Sequence, residues 1–313
     1  MSGLDLDIVV EKFFRPVANV ISPVMVTINP KEIPVPRMHS YLLGSVVPRP
    51  IALASTIDKA GNVNLSPFSF FNCFSANPPI LVFSPARRGR DATTKHTYEN
   101  VNEVPEVVIN IVTYAMVEQV SLASCEYLRG VNEFIKAGLT EVASEVVRPP
   151  RVAESPVAFE CKVNQVIELG SGGAAGNLVI CEVLRMHMNE AVLDPDGRIN
   201  PNKLDAVARM GADFYLRAQG ENIFTVPKPN ENLAMGFDEL PERIRKSLVL
   251  TGNELAKLAN IGQVPEPTGG VETSSEFAAA RKQGEQALHV LAQQALRKGE
   301  VGMAWQILLA SLK

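Results

Sequence analysis

Short segments rich in β-branched and aromatic residues, separated by turn residues, are the feature that most constrains the fold of this chain. Segments such as "PRPIALAST" (48–56), "ILVFS" (80–84) and "VVINIV" (107–112) are typical of strands and too short for helices. Longer strand patterns follow at 157–169 and 177–188. The regular β-α-β alternation of a parallel sheet is missing, so the pattern predicts an antiparallel barrel with inserted helices.

Turn and cap signals divide this region further. The turn "DKAG" (58–61) predicts a β-hairpin between 48–56 and "NVNLSPFSFFN" (62–72). Helices are predicted over 93–104 and 115–124, and Asn200 followed by Pro201 predicts another over 202–211. The glycine-rich "GSGGAAG" (170–176) has the spacing of a dinucleotide fingerprint, but a strand follows it where that motif needs a helix. It is therefore predicted to be a hairpin loop.

The two ends of the chain differ from its centre. Residues 1–36 are punctuated by prolines and are predicted to form an N-terminal arm, before a barrel domain over 37–220. Over 221–313, helical spacing of apolar residues predicts two or three amphipathic helices, packed on the barrel or across a subunit interface. Capping boxes are predicted at Thr251 with Glu254 and at Thr273 with Glu276.

Charge and composition exclude several classes of protein. The 30 Lys and Arg residues nearly balance 34 Asp and Glu, giving a net charge of -4 with no long run of one sign, which argues against nucleic-acid partners. No segment has the pattern of a secretory leader or a membrane span, so a cytoplasmic protein is expected. The four cysteines are expected to be small buried side chains. The four histidines have no metal-ligand spacing, so no metal site is predicted.

The stretch "NLSPFSFFNCFSANPP" (64–79) combines aromatic and hydrogen-bonding side chains. As one extended strand, it would place Ser66, Phe68 and Phe70 on one face and Ser69 and Phe71 on the other. A core strand gains nothing from buried hydroxyls, and proline at 67 removes a ladder donor, so a kink is expected there. Such a surface suits a flat ligand with an apolar ring system and a polar edge, as in a flavin.

A cationic stretch follows, "SPARRGRDATTKHTYEN" (84–100), at the predicted start of a helix. Cations, hydroxyls and a helix N-terminus together make a phosphate receptor. Taken alone, this stretch is more typical of a solvated surface loop. Its position next to the aromatic and hydroxyl stretch favours a flavin mononucleotide. The candidate phosphate ligands are Arg87, Arg88, Arg90, Thr93, Thr94, Lys95 and Thr97.

Ordered motifs over about residues 36–218 resemble the flavin reductase-like family, the FMN-binding split-barrel group of flavoredoxin and the reductase component of nitrilotriacetate monooxygenase. They include "YLLGSVVPRPIALAST", "NLSPFSFFNCFSANPPILVFS", "KHTYEN", "YLRGVNEF" and "ARMGADFY". The resemblance implies a mainly β fold with inserted helices, a six-stranded antiparallel Greek-key split barrel, followed here by a C-terminal α-helical extension. It also implies a homodimer with noncovalent FMN near the subunit interface.

The resemblance also implies which residues contact FMN. Those expected at the isoalloxazine edge and its supporting strand are Arg49, Thr56, Ser66, Pro67, Phe68, Ser69 and Asn72, and those expected at the ribityl phosphate are Ser84, Arg90, Lys95 and Thr97. Arg129, His187 and Tyr215 are candidates for the rim that a substrate or partner approaches. The alternatives are an ion pair between Arg129 and Glu133 and a packed or capped His187.

One departure affects the expected activity. Short-chain flavin reductases of this superfamily carry a G-D-H motif whose histidine meets the nicotinamide, where this chain has Ala174, Ala175 and Gly176. The leading hypothesis is an FMN-dependent oxidoreductase that passes electrons from NADH or NADPH through FMN to an acceptor. The alternatives are an FMN-containing electron carrier without nicotinamide turnover and a split-barrel scaffold that binds no flavin.

Overall fold

The structure, a computed structural model, describes residues 25–227 and 234–312. These residues form two compact units, one over 28–224 and the other over the described residues from 225 onward together with 25–27. Most of the predicted N-terminal arm, residues 1–24, lies outside the described residues. The predicted domain boundaries at 36/37 and 220/221 stay predictions.

The first unit is built on a seven-stranded antiparallel sheet with the order β2-β1-β5-β8-β9-β4-β3. Its strands are β1 (Ala52–Ile57), β2 (Val63–Phe68), β3 (Phe71–Ala76), β4 (Pro79–Phe83), β5 (Glu106–Ile111), β8 (Val157–Glu168) and β9 (Asn177–Met188). Two short pairs complete the β structure: β6 (Glu141–Val142) with β7 (Arg151–Val152), and β10 (Val207–Arg209) with β11 (Tyr215–Arg217). The prediction of a mainly antiparallel β fold is confirmed.

The sheet is closed by a very short connection. The strands β2 and β3 lie at its opposite edges, yet only Ser69 and Phe70 separate them in the chain. A two-residue link spans less than about 11 Å, so the sheet must curl until its edges meet. No ladder joins β2 to β3, and the barrel is therefore split along this line.

The predicted single strand over 62–72 is wrong in one respect, because the chain turns at Ser69 and Phe70 and continues as β3. The aromatic stretch thus supplies two strands, and the sheet has seven strands where the resemblance implies six. A bulge between Cys73 and Ser75 shifts the register again. The two-face alternation predicted for Ser66 to Ser75 does not hold, because it requires an unbroken strand.

Helices pack on both faces of the sheet. The barrel interior is filled by residues such as Phe68, Phe83 and Ile109, and the outer face of β1 and β2 is covered around Met116 and Phe134. The helices of this unit are α1 (Val35–Ser45), α2 (His96–Glu103), α3 (Val117–Ala123), α4 (Glu133–Ala137) and α5 (Pro201–Leu204). The helices predicted over 93–104 and 115–124 are thereby confirmed as α2 and α3.

The helix predicted over 202–211 ends early. Asn200 is its N-cap, as predicted, but α5 stops at Leu204, and Asp205 takes a left-handed conformation with φ of 49°. The following residues form β10, whose residue Arg209 also bridges to Arg49. Residues of this segment pair with β11, and Val207 packs in the core, so tertiary pairing overrides the helical propensity.

The second unit is helical. Its elements are α6 (Glu242–Arg245), α7 (Gly252–Ala259), α8 (Ser275–Gln283), α9 (Glu285–Arg297) and α10 (Val301–Ser311). They surround one core containing Trp305, Phe277 and Leu255. The capping box of Thr251 and Glu254 is confirmed. The one predicted at Thr273 is wrong, because Ser274 is the N-cap and accepts from the Phe277 N–H.

Two further findings concern expectations from composition. Cys161 and Cys181 are buried as expected, whereas Cys73 and Cys125 are exposed, since the bulged edge strand and a loop carry them. Within residues 25–227 and 234–312, no helix has the length and apolar character needed to cross a membrane.

Candidate functional site

A cavity of about 540 Å³ lies where the chain passes from β2 to β3. One side is the predicted aromatic and hydroxyl stretch, and the other is the predicted cationic stretch. The residues lining it are His39, Leu43, Ser66, Pro67, Phe68, Ser69, Phe70, Ser84, Ala86, Arg87, Arg88, Gly89, Arg90, Lys95, Ser124 and Glu126. The fold therefore brings together the two segments that sequence analysis paired.

The aromatic end belongs to an edge strand. The Leu65 N–H points away from β1 and donates to the Glu133 carboxylate over 2.9 Å. Because backbone groups alternate with a period of two, residue 67 is the next outward position, and Pro67 there has no N–H to present. The Phe70 carbonyl accepts from the Ser84 N–H over 2.8 Å, which joins β2 and β3 to the start of the cationic stretch.

The cationic end is a loop held against the glycine-rich hairpin. The Arg87 N–H donates to the Ala175 carbonyl over 2.9 Å, and the Ala174 N–H donates to the Arg87 carbonyl over 3.2 Å. Gly173 is required here, because a Cβ at that position would lie 2.6 Å from the Gly89 carbonyl oxygen. The 170–176 segment is the predicted hairpin loop between β8 and β9, and its role is to support the cationic loop.

Arg88 and Arg90 share one carboxylate. The Arg88 Nε donates to Glu126 Oε1 over 3.1 Å, and the Arg90 Nη2 donates to Glu126 Oε2 over 2.7 Å. Hydrogen bonding from Arg90, followed by the charges of Arg90 and Arg88, lowers the pKa of Glu126. The site therefore contains a negative charge between two of its cations.

Lys95 is the third cation and has no such partner. It is half-buried at the N-cap position of α2, and among the residues that the structure describes no carboxylate lies within 4.0 Å of its Nζ. Burial, followed by the charge of Arg88, lowers the pKa of Lys95. Burial and the charges of Arg88 and Arg90 thus outweigh the opposing charge of Glu126 at this half-buried cation, and an anionic ligand would relieve that cost.

Arg49 fixes the aromatic end from behind. Its guanidinium donates to the carbonyls of Leu43, Val46 and Met210 over 2.6, 2.8 and 2.9 Å. A longer contact of 3.4 Å reaches the Ser69 hydroxyl. Burial, followed by repulsion from Arg209, lowers the pKa of Arg49. This residue holds the C-terminal end of α1 beside Ser69, and it does not line the cavity.

The family model for the flavin reductase like domain matches residues 43–202. The chain belongs to this family. The matched range contains β1 to β9 and every cavity-lining residue except His39. Membership makes this chain a flavin-linked redox protein, as the aromatic and cationic pairing predicts.

Relatives of the flavin reductase like domain occur in several bacteria. An uncharacterized protein of Aquifex aeolicus is 37% identical over 184 residues, 59% of this chain and 91% of that protein. Another, of Halalkalibacterium halodurans, is 38% identical over 204 residues, 64% of this chain and 96% of that protein. These matches leave more than a third of this chain uncovered.

Three solved structures show the same architecture. Nitrilotriacetate monooxygenase component B of Bacillus cereus superposes with a TM-score of 0.61 and 31% identity, over 66% of this chain and all of that chain. The 2-nitrobenzoate 2-nitroreductase of Pseudomonas fluorescens superposes with a TM-score of 0.56 and 25% identity, over 64% of this chain and 96% of that chain. A Shewanella frigidimarina protein with a split barrel domain superposes with a TM-score of 0.55 and 24% identity, over 65% of this chain and all of that chain, which confirms the split-barrel fold.

Several predicted flavin ligands of this domain lie outside the cavity lining. Thr56 and Thr97 are buried, where they accept from Asn100 and Asn64 over 3.2 and 2.9 Å. The Asn72 side chain accepts from the Cys73 N–H over 2.8 Å on β3. The lining does include Ser66, Pro67, Phe68, Ser69, Ser84, Arg90 and Lys95.

None of the three rim candidates of the flavin reductase like domain lines this cavity. Arg129 forms ion pairs with Glu99 and Glu103 over 2.8 and 3.0 Å. The alternative of an ion pair between Arg129 and Glu133 is wrong, because the Glu133 carboxylate accepts from the Leu65 N–H at the edge of β2. His187 lies 2.7 Å from the buried Glu160 carboxylate, which supports its alternative as a packed histidine.

Tyr215 lines a separate cavity of about 220 Å³ with Tyr114 and Arg217. The Arg217 guanidinium stacks 3.9 Å from the centroid of the Tyr114 ring and forms a two-point ion pair with Asp205 at 2.7 and 2.8 Å. This arrangement satisfies the cation within the protein. The other charged residue that lines the smaller cavity is the exposed Glu118.

Sequence analysis missed the lining contributed by α1 and by the loop after α3. His39 lies outside the recognised motifs, and Leu43 lies within one of them but was not predicted as a site residue. The His39 ring packs edge-on against Phe70 with centroids 6.4 Å apart. Ser124 and Glu126 come from the loop before "YLRG". A single acidic residue ahead of that motif was the one available signal for Glu126.

Proposed function

We propose that this chain is an FMN-dependent oxidoreductase that passes electrons from NADH or NADPH to an acceptor. The observation that carries the proposal is that one cavity joins an aromatic, hydroxyl-bearing end to a cationic end in which Lys95 has no carboxylate partner within 4.0 Å among the described residues. A flavin ring with a phosphate tail has the matching sequence of chemical groups.

The residues present fit FMN in size and chemistry. The cavity of about 540 Å³ is within the 300–1,000 Å³ typical of ligand pockets. Lys95, Arg88 and Arg90 supply donors for a phosphate dianion, and Ser84 adds a hydroxyl. The phenylalanine and serine side chains of 66–70 supply apolar area and polar groups for the ring edge.

FMN, when bound, supplies the redox chemistry by accepting a hydride and passing its electrons on. The residues around it would bind, orient and exclude water. Ser66 and Ser69 would hydrogen-bond the polar edge of the ring, and preorganised donors there would stabilise negative charge. Arg49 would act as a positioning residue through Ser69. This arrangement requires no side-chain acid or base.

An electron carrier without nicotinamide turnover is the second candidate. One observation favours it: the hairpin that supports the cationic loop has Ala174, Ala175 and Gly176 where short-chain flavin reductases have their histidine. In that case the reduced flavin would exchange electrons with a redox protein. Both candidates share the FMN site.

Two measurements test these candidates in order. Purified protein is first titrated with FMN and with riboflavin, with flavin fluorescence as the readout. Tight, saturable FMN binding supports the site, and failure to bind either flavin refutes both candidates and leaves the scaffold hypothesis. Steady-state oxidation of NADH and NADPH with excess FMN and an added acceptor then separates them, because turnover with neither nicotinamide refutes the enzyme.

We also propose that the chain forms a homodimer. The edge strand β3 carries Phe74, which is 69% exposed, and the C-terminal half of the long strand β9, two strands away, exposes Leu184 and Met186 beyond the end of its pairing with β4. Apolar side chains exposed along a sheet edge are a liability unless another chain covers them. Size-exclusion chromatography with light scattering measures the mass of the protein in solution. A monomer at micromolar concentration would contradict this proposal.

A further inference from the structure

Glu126 occupies the hydrogen-bond donors that a phosphate at the cationic end would need. Its two oxygens take one donor each from Arg88 and Arg90, over 3.1 and 2.7 Å, and its side chain lines the same cavity. Arginine forks bind carboxylate and phosphate with the same planar geometry. A ligand phosphate and the Glu126 carboxylate therefore compete for the same two guanidinium groups.

The two arginines do not depend on Glu126 for their positions. Arg88 Nη1 also donates to the Thr93 hydroxyl over 3.1 Å and to the Thr94 carbonyl. Arg90 Nε donates to Asp91 over 3.2 Å. Both guanidinium groups would therefore keep an acceptor within the cationic loop if the carboxylate moved away.

The loop that carries Glu126 has contacts to the rest of the protein on both sides of that residue. The Ser124 hydroxyl donates to the Ser121 carbonyl over 2.6 Å, and Arg129 forms ion pairs with Glu99 and Glu103 on α2. Between these contacts the Glu126 side chain is 45% exposed. A rotamer change can take the carboxylate into solvent without moving the loop.

We propose that Glu126 is an internal competitor for the phosphate of the flavin, which lowers the affinity for FMN and leaves riboflavin unaffected. This inference rests on the proposed function of the site. A phosphate dianion must displace the carboxylate from Arg88 and Arg90, whereas a flavin without phosphate need not. Glu126 thereby sets how readily FMN exchanges, and it allows the protein to release the cofactor.

Glu126→Gln tests this inference, because it keeps the shape and removes the charge. The probes are FMN, riboflavin and inorganic phosphate, each titrated against the full-length protein with flavin fluorescence or calorimetry as the readout. We expect Glu126→Gln to bind FMN and inorganic phosphate about tenfold more tightly, in keeping with a half-exposed charge-assisted contact, and riboflavin within about twofold of the wild type. In stopped flow, FMN should dissociate correspondingly more slowly.

Glu106→Gln is the matched control, since Glu106 pairs with Arg148 over 3.1 Å and does not line the cavity. It should change none of the three affinities. Unchanged or weaker FMN binding by Glu126→Gln overturns the inference and would make Glu126 a support for the arginines. If the wild type binds no flavin, the proposed function fails separately, and inorganic phosphate binding alone still decides the role of Glu126.

Discussion

Replacing Lys95 with alanine is the most direct test of the cationic end of the cavity. Lys95 is half-buried and lines the cavity, and among the described residues no carboxylate lies within 4.0 Å of its Nζ. Lys95→Ala therefore breaks no ion pair within the protein. Any loss of FMN affinity then reports a contact with the ligand itself.

The size of the effect follows from the type of contact. A hydrogen bond to a charged group contributes about 1.5–3 kcal/mol, which corresponds to a loss of roughly 10- to 150-fold in affinity. Partial exposure of Lys95 favours the lower half of that range. Riboflavin has the same ring without the phosphate, so its affinity should change by less than about twofold, since no charge-assisted contact is lost.

Fluorescence titration of both flavins measures this difference, with Lys162→Ala on the exposed side of β8 as the matched control. Burial and the nearby arginines lower the pKa of Lys95. As the solution becomes alkaline, Lys95 should therefore lose its charge, and FMN affinity should fall, at a lower pH than for an ordinary lysine. Equal losses of FMN and riboflavin would refute the assignment of a phosphate subsite.

Three further predictions concern stability. Arg49→Met leaves three backbone carbonyls without their donor, so it should lower the free energy of unfolding of the barrel by about 2–4 kcal/mol. Urea unfolding monitored by circular dichroism measures this change, and a decrease of less than about 0.5 kcal/mol would contradict the prediction. Gly173→Ala should lower the free energy of unfolding by about 1–3 kcal/mol and weaken FMN binding, because the added Cβ meets the Gly89 carbonyl oxygen. Gly172→Ala is the control and should change neither property, since nothing lies within 4 Å of the added Cβ. Burial lowers the pKa of His289, so as the pH falls below about 6.5 the unfolded chain takes up a proton before the folded protein does, and the free energy of unfolding of the helical unit should fall. Fluorescence emission of Trp305, the chain's single tryptophan, reports this unfolding. His289→Gln should make the free energy of unfolding less dependent on pH in this range.

The sequence predicted the sheet and the two segments of the site because each carries a local signal. Strands such as β5 are short, β-branched and bounded by turn residues, and the glycine-rich hairpin is followed directly by β9. The phenylalanines paired with hydroxyls and the clustered cations that follow them both line the cavity. Local chemistry of this kind survives folding because neighbouring segments stay neighbours.

Other features depended on contacts that are distant in sequence. The break at Ser69 and Phe70 follows from closure of the barrel, which no window of residues can reveal. The helix begun at Asn200 ends early because Val207 and Arg209 pair with β11, and Arg209 also bridges to Arg49. The Glu126 contacts join residues 36 and 38 positions apart. Such contacts are properties of the topology, not of the composition of a segment.

The placement of the site on the fold separates two kinds of residue. Ser66 to Phe70 both close the barrel and line the cavity, so a substitution there should change folding and the proposed flavin binding together. Lys95 and Glu126 lie outside the sheet, just before α2 and in the loop after α3, where their side chains carry little of the core. In the proposed flavin site, substitutions at these two positions should therefore change flavin affinity and exchange with little effect on stability, whereas recognition of the ring would be tied to the architecture of the barrel.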